Sequence, residues 1–161
     1  MSPVRSIFHV GFVVGDLDAS IRFYRDGLGL VLRHRQLQHN PYTRTLVGYP
    51  DALLEVAQFN LAEGDAPASG HILELVSYTQ PASGAADPER NTLGVGHLAF
   101  TVDNIHEFSL RLRSFGAELV SEPVRISAGI NEGGWTVYLR DPDGVNLELV
   151  QPRAAEEGAH V

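Results

Sequence analysis

An α+β fold, built from two tandem βαβββ modules whose mostly antiparallel sheets curve into a cup, is what this 161-residue sequence predicts. Three observations lead there. A strand motif occurs twice, at Phe8–Val14 and Gly96–Val102, each time with a histidine one residue in, at His9 and His97. A helical apolar stripe follows each copy. A second strand motif then ends each half, Gly70–Val76 matching Gly144–Val150 at five of seven positions.

The first strand carries apolar residues on alternate positions, so Phe8, Val10, Phe12 and Val14 form one face and Ile7, His9, Gly11 and Val13 the other. Asp16 has the chemistry of an N-cap, and Leu17, Ile21, Tyr24 and Leu28 recur at helical spacing after it. Gly27 and Gly29 close that helix, Leu30–Leu32 resumes as strand, and Leu53–Phe59 and Gly70–Val76 supply two more. In the second half Asp103-Asn104 offers the cap, and Ile105, Phe108, Leu112 and Phe115 the stripe. Gly116 is the stop, and Leu119-Val120, Trp135–Arg140 and Gly144–Val150 are the strands.

The chain therefore reads as one domain over residues 1–152. Module one spans 4–78 and module two 95–152, joined by a linker at 79–94 that holds two prolines and Gly84; residues 153–161 read as a flexible tail. Each module alone offers a marginal core, and pairing of the two would enclose a shared concave space.

Composition narrows the function. With 43% hydrophobic and 20% charged residues the chain is globular and not disordered. The absence of cysteine removes disulfides, thiolate metal sites and thiol nucleophiles, so a metal would need histidine and carboxylate ligands. Twelve Lys+Arg against 20 Asp+Glu give a net charge of -8, which argues against nucleic acid as a partner. There is no run of about 18 apolar residues and no secretory signal, so no membrane association is expected and the cytoplasm is the expected location.

His9 and His97 sit beside small residues on their strand faces, Gly11 in one case and Ala99 in the other. Glu74 and Glu148 fall in the middle of apolar strands, where an unpaired charge is costly. One such histidine or glutamate is more often hydrogen-bonded locally than metal-bound. Four in matched repeat positions favour a two-His, two-Glu site for one divalent ion per chain, with Ni, Co, Zn, Mn or Fe all suited to the donor set.

These residues resemble the vicinal oxygen chelate superfamily, which includes glyoxalase I, methylmalonyl-CoA epimerase, extradiol dioxygenases, and fosfomycin and bleomycin resistance proteins. The resemblance rests on His9 with Phe23–Leu30, His97 with the helix between Val102 and Gly116, and Tyr138–Gly144 running into Leu147-Glu148-Leu149. It implies paired modules around one metal held by His9, Glu74, His97 and Glu148, often in a homodimer, acting on a small-molecule substrate. The four-ligand pattern is similar to glyoxalase I; the epimerase usually offers glutamine at the position of Glu74.

The activity so implied is that of a lyase or isomerase that moves a proton next to a carbonyl. Glu148 and Glu74 are the first candidates for the base, because a ligand glutamate that detaches stays within reach of the same carbon. Glu55 is a further candidate catalyst if its strand face is the concave one. An Fe(II) dioxygenase, or a metal-free drug- or metabolite-binding resistance protein, are the alternatives. His34–Arg44 reads as a solvated loop able to meet an anionic group, and Ala128–Gly134 as a lid or a hairpin loop. His71 points opposite Glu74 in its strand and His106 lies on a helix, so both read as structural or surface residues, and His160 lies in the tail.

Overall fold

The computed structural model describes residues 4, 6–61, 71–84 and 89–154. The chain divides into two compact units, Met1–Ala86 and Asp87–Val161. Linker positions 85–88, Gly70 of the repeated motif, and the tail from Ala155 onward with His160 lie outside the described residues.

The first unit runs β1 (His9–Val13), α1 (Leu17–Arg22), β2 (Val31–Gln38), α2 (Pro41–Val47), β3 (Leu53–Asn60) and β4 (Ile72–Gln80). Its sheet has the order β1-β4-β3-β2, with β1 parallel to β4 and the remaining pairs antiparallel. Asp16 caps α1 by accepting from the Ala19 amide at 3.0 Å. The helix continues through a wider π turn at Phe23–Gly27, and Gly29 takes the left-handed conformation that lets the chain turn into β2. Leu17, Ile21, Tyr24 and Leu28 are all buried, as their spacing predicts. Tyr24 packs its ring 6.2 Å from that of Phe59, on the sheet face that also buries Leu73 and Leu75. Each such side chain contributes about 1.5–3 kcal/mol of burial.

The second unit repeats the plan with β5 (Leu98–Thr101), α3 (Ile105–Ser114), β6 (Glu118–Leu119), β7 (Val124–Arg125), β8 (Trp135–Arg140) and β9 (Asn146–Gln151). The order is β5-β9-β8-β6, with β7 also on β8; β5 is parallel to β9 and the other pairs are antiparallel. Asn104 caps α3 through the Glu107 amide at 3.2 Å. Ile105 and Leu112 are fully buried, in a unit whose strands bury Val137, Leu139, Leu147 and Leu149. Phe115 caps the helix and is 36% exposed, so the apolar stripe ends at Leu112, one turn short of the expectation.

Two other expectations are corrected. The stretch from His34 to Arg44 is not a loop: β2 extends to Gln38, and α2 follows with Asn40 as its cap, Pro41 in its first turn and Gly48 in the left-handed conformation after it. Only Thr43 of α2 is buried, so the helix carries no apolar stripe that could have revealed it. The second unit also gains the short β7, which makes its sheet five-stranded. No helix among the described residues is long and apolar enough to cross a membrane.

Two turns hold β8 and β9 in place. Asp141, buried, accepts from the amides of Asp143 at 2.9 Å and Val145 at 2.8 Å and so fixes the hairpin between the strands. Gly134 lies just before β8, where a Cβ would stand 2.6 Å from the Gln151 carbonyl oxygen and 3.1 Å from that of Asn131. Both neighbours are backbone and neither can swing aside. Gly134→Ala is therefore expected to destabilise the protein by about 1–3 kcal/mol, read as a lowered urea midpoint with an unchanged slope.

Candidate functional site

The four expected ligands are brought together in two pairs, one within each unit. In the first, His9 Nε2 faces Glu74 Oε1 at 3.8 Å; in the second, His97 Nε2 faces Glu148 Oε2 at 3.1 Å. The histidine side chains are 39% and 44% exposed and the glutamates 19% and 17%, so each carboxylate is set into its sheet with the imidazole nearer solvent. Among the described residues no group of three or more His, Asp or Glu side chains stands together as a metal-holding cluster.

Register explains why each pair meets. Gly11 lies opposite Glu74 across the parallel β1–β4 pairing, and His9 is two residues earlier on the same face. Ala99 lies opposite Glu148 across β5–β9, and His97 is again two residues earlier. The small residue leaves room for the imidazole to lean over the carboxylate. A Cβ on Gly11 would already touch the His9 ring at 3.9 Å.

Each glutamate has its second oxygen held by a neighbouring strand. Gln58 on β3, directly opposite Glu74, donates from Nε2 to Glu74 Oε2 at 2.7 Å. Thr136 on β8 donates from Oγ1 to Glu148 Oε1 at 2.6 Å. The oxygen that faces the histidine is thus the one left to act, and its partner oxygen is tethered in both halves. Neither tether was read from the sequence, because it depends on strand register; nothing in the alternation of a single strand reveals it.

Tyr138, opposite Glu148 on β8, is a third residue the sequence reading passed over. Its hydroxyl stands 3.4 Å from His97 Nε2, with the two rings edge to face at 5.1 Å. Burial raises the phenol above its ordinary pKa, the charge of Glu148 and a hydrogen bond to it raise it further, and Arg90 opposes them.

Glu55 lies on the other face. In β3 it alternates with Gln58, and its carboxylate accepts from Arg35 Nε at 2.9 Å and Nη2 at 2.7 Å, while Arg35 Nη1 reaches Asp18 of α1 at 2.6 Å. The face that the alternation left open is the one covered by α1, which takes Glu55 away from Glu74 and occupies Arg35 as well. His106 meets Trp135 edge to face with ring centres 4.8 Å apart, and His71 is exposed outside β4. Ala128–Gly134 forms the turn between β7 and β8.

The donor chemistry suits a divalent ion. Two ligand atoms each about 2.1 Å from one ion stand about 3.0 Å apart at a right angle and about 3.4 Å apart at the tetrahedral angle. The second pair already has that spacing, and the first needs only a small side-chain shift.

Residues 6–149 match the model of the Glyoxalase/Bleomycin resistance protein/Dioxygenase superfamily. The chain belongs to this superfamily, that of the vicinal oxygen chelate proteins. It is 30% identical over 155 residues to a lactoylglutathione lyase of Haemophilus influenzae, covering 94% of this chain and 96% of that one. It is 30% identical over 156 residues to a lactoylglutathione lyase of Neisseria meningitidis, covering 94% of each. Among solved structures, a glyoxalase family protein of Bacillus cereus superposes with a TM-score of 0.79 at 25% identity, over 96% of this chain and 99% of that one. The chain is glyoxalase-like in sequence and in fold.

The raised Tyr138 pKa keeps the phenol protonated further into the alkaline range than a solvated tyrosine. In chelator-treated protein, ultraviolet titration of the phenolate band is expected to place Tyr138 among the last tyrosines to ionise. Subtraction of the Tyr138→Phe titration identifies its step.

Proposed function

We propose that this protein is a divalent-metal-dependent lyase or isomerase that transfers a proton at the carbon next to a carbonyl, and that His9, Glu74, His97 and Glu148 hold one ion per chain. The observation that carries the reading is the matched construction of the two His–Glu pairs. In each, an imidazole nitrogen faces one carboxylate oxygen while a neighbouring strand holds the other. A merely structural His–Glu contact gives no reason for a neighbouring strand to hold the second carboxylate oxygen in both halves, by an amide in one and a hydroxyl in the other. The 30% identity to lactoylglutathione lyases over nearly the whole chain supports the same class of reaction.

A divalent ion at these residues supplies Lewis acidity that neutralises charge growing on a carbonyl oxygen. The rest falls to the chain. One of the two carboxylates, at Glu148 Oε2 or Glu74 Oε1, would detach and accept the single proton from carbon, then return it to carbon. Gln58 and Thr136 keep each carboxylate from rotating freely, so the proton-carrying oxygen stays aimed. Glu55, fixed by Arg35 beneath α1, is left out of the proton transfer.

The active form in this reading is a homodimer. Ile7, Phe8 and Val13 expose apolar surface next to His9, with Phe8 68% exposed, and a second copy is the economical cover for it. Light scattering after gel filtration is expected to give twice the chain mass.

Chelator-stripped protein reloaded separately with Ni(II), Co(II), Zn(II), Mn(II) and Fe(II) is expected to take up one equivalent per chain, lost in His97→Ala. Thr136→Val is expected to weaken that uptake about 10- to 100-fold by freeing the carboxylate it holds. The loaded protein is then expected to exchange deuterium from heavy water into the carbon next to the carbonyl of lactoylglutathione or of a simple acyl thioester, followed by proton NMR. Uptake of no metal by any route would overturn the reading. Oxygen consumption seen with Fe(II) alone would replace it with an oxygenase.

A further inference from the structure

We propose that Arg140 is the specificity residue of the second unit's site and binds an anionic group, a carboxylate or phosphate, of the molecule that occupies the His97–Glu148 face. Arg140 ends β8 on the same face as Thr136 and Tyr138, both of which reach the His–Glu pair. It lies opposite Asn146, two residues before Glu148 on that face of β9.

Its guanidinium is half used. Arg25 and Arg35 each fill the edge made by Nε and Nη2: Arg25 places both on Asp26, at 2.6 and 2.8 Å, and Arg35 places both on Glu55, at 2.9 and 2.7 Å, while Arg113, more exposed than Arg140, gives Nη2 to Glu122. Arg140 gives only Nη2, to Glu89 Oε1 at 3.0 Å. Its Nε is buried and, among the described residues, meets no acceptor. A charged donor left so is costly, and the edge is the one shaped for two oxygens of a single oxyanion.

Glu89 is the weaker side of that contact. Its side chain is 55% exposed against 23% for Arg140, and a single exposed hydrogen bond of this kind holds it loosely. Arg90 adds a second cation whose charge reaches Tyr138, so two guanidinium groups stand near this face with the carboxylates of Glu89 and Glu148, of which Glu148 is already held by Thr136 and faces His97. Glu89 therefore occupies the site in the manner of a substrate anion and gives way to a ligand that satisfies both nitrogens.

That the bound molecule is a substrate rests on the proposed function; the anion site itself does not. The test uses the full chain, chelator-treated so that no metal offers an alternative anion site, with arginine labelled by nitrogen-15. Succinate and inorganic phosphate are titrated separately, and the Nε–Hε resonance of Arg140 is followed. One of the two is expected to shift it saturably, which also settles the class of anion. Glu89→Gln, at an exposed position, is expected to tighten that binding about two- to fivefold. By isothermal titration calorimetry of the same anion, which needs no arginine resonance, Arg140→Met is expected to abolish binding and Arg140→Lys to weaken it. No saturable shift with either anion, or weaker binding in Glu89→Gln, overturns the proposal; so does equal binding in folded Arg140→Met. The metal titration reads separately, so a chain that binds the anion and no metal keeps this site and loses the lyase.

Discussion

A carboxylate in the middle of an apolar strand has to be answered by something, and in both halves of this protein the answer is organised by one parallel strand pair. The first strand of each half lies along the last, and the residue it sets opposite the glutamate is the smallest available, Gly11 for Glu74 and Ala99 for Glu148. With no bulk there, the histidine two residues earlier can lean across. A Cβ at Gly11 would already stand 3.9 Å from the His9 ring, so a long side chain there would crowd the imidazole. The helix behind each sheet then has a fixed duty, since Leu73, Leu75, Leu147 and Leu149 must turn inward for the glutamates between them to turn outward.

The same constraint accounts for the donors on the neighbouring strands. A carboxylate 17–19% exposed has lost much of its water, and one histidine satisfies only one of its oxygens. Gln58 and Thr136 take the other oxygen, each from an antiparallel neighbour whose register is locked by the apolar residues on its reverse face. Arg35, Glu55 and Asp18 form a separate polar group on the helix side of the first sheet. That separation keeps Arg35 from competing for the first unit's glutamate.

What was legible in the sequence follows from what repeats. His9, His97, Glu74 and Glu148 stood out because duplication placed them in matched strands, and the caps Asp16 and Asn104 because capping is local chemistry. The helix α2 was not legible, since a seven-residue helix with one buried residue leaves no period to read. Glu55 could not be assigned a face, because β3 is buried on both sides and its sequence shows no clean alternation. Gln58, Thr136 and Tyr138 were hidden for a different reason: each acts across strands, and register is a property of the pairing.

Repetition has not kept the two halves equal. The residue opposite Glu74 is Gln58 and the one opposite Glu148 is Tyr138, while Thr136 stands where the first half has Val56. An amide and a hydroxyl hold a carboxylate differently. The Thr136 hydroxyl also lies 3.1 Å from the Leu149 carbonyl oxygen, so if Glu148 moves away the hydroxyl still has an acceptor and its burial goes uncharged. Tyr138, protonated because its surroundings are dry, stands ready as a donor beside the space the carboxylate would leave. The second half thus surrounds its glutamate more closely, with Thr136 at 2.6 Å and His97 at 3.1 Å, whereas the first half holds Glu74 by a single amide with the histidine further off, at 3.8 Å. Matched strands thus hold two carboxylates whose neighbours differ: a hydroxyl, a phenol and a close imidazole around Glu148, one amide and a more distant imidazole around Glu74.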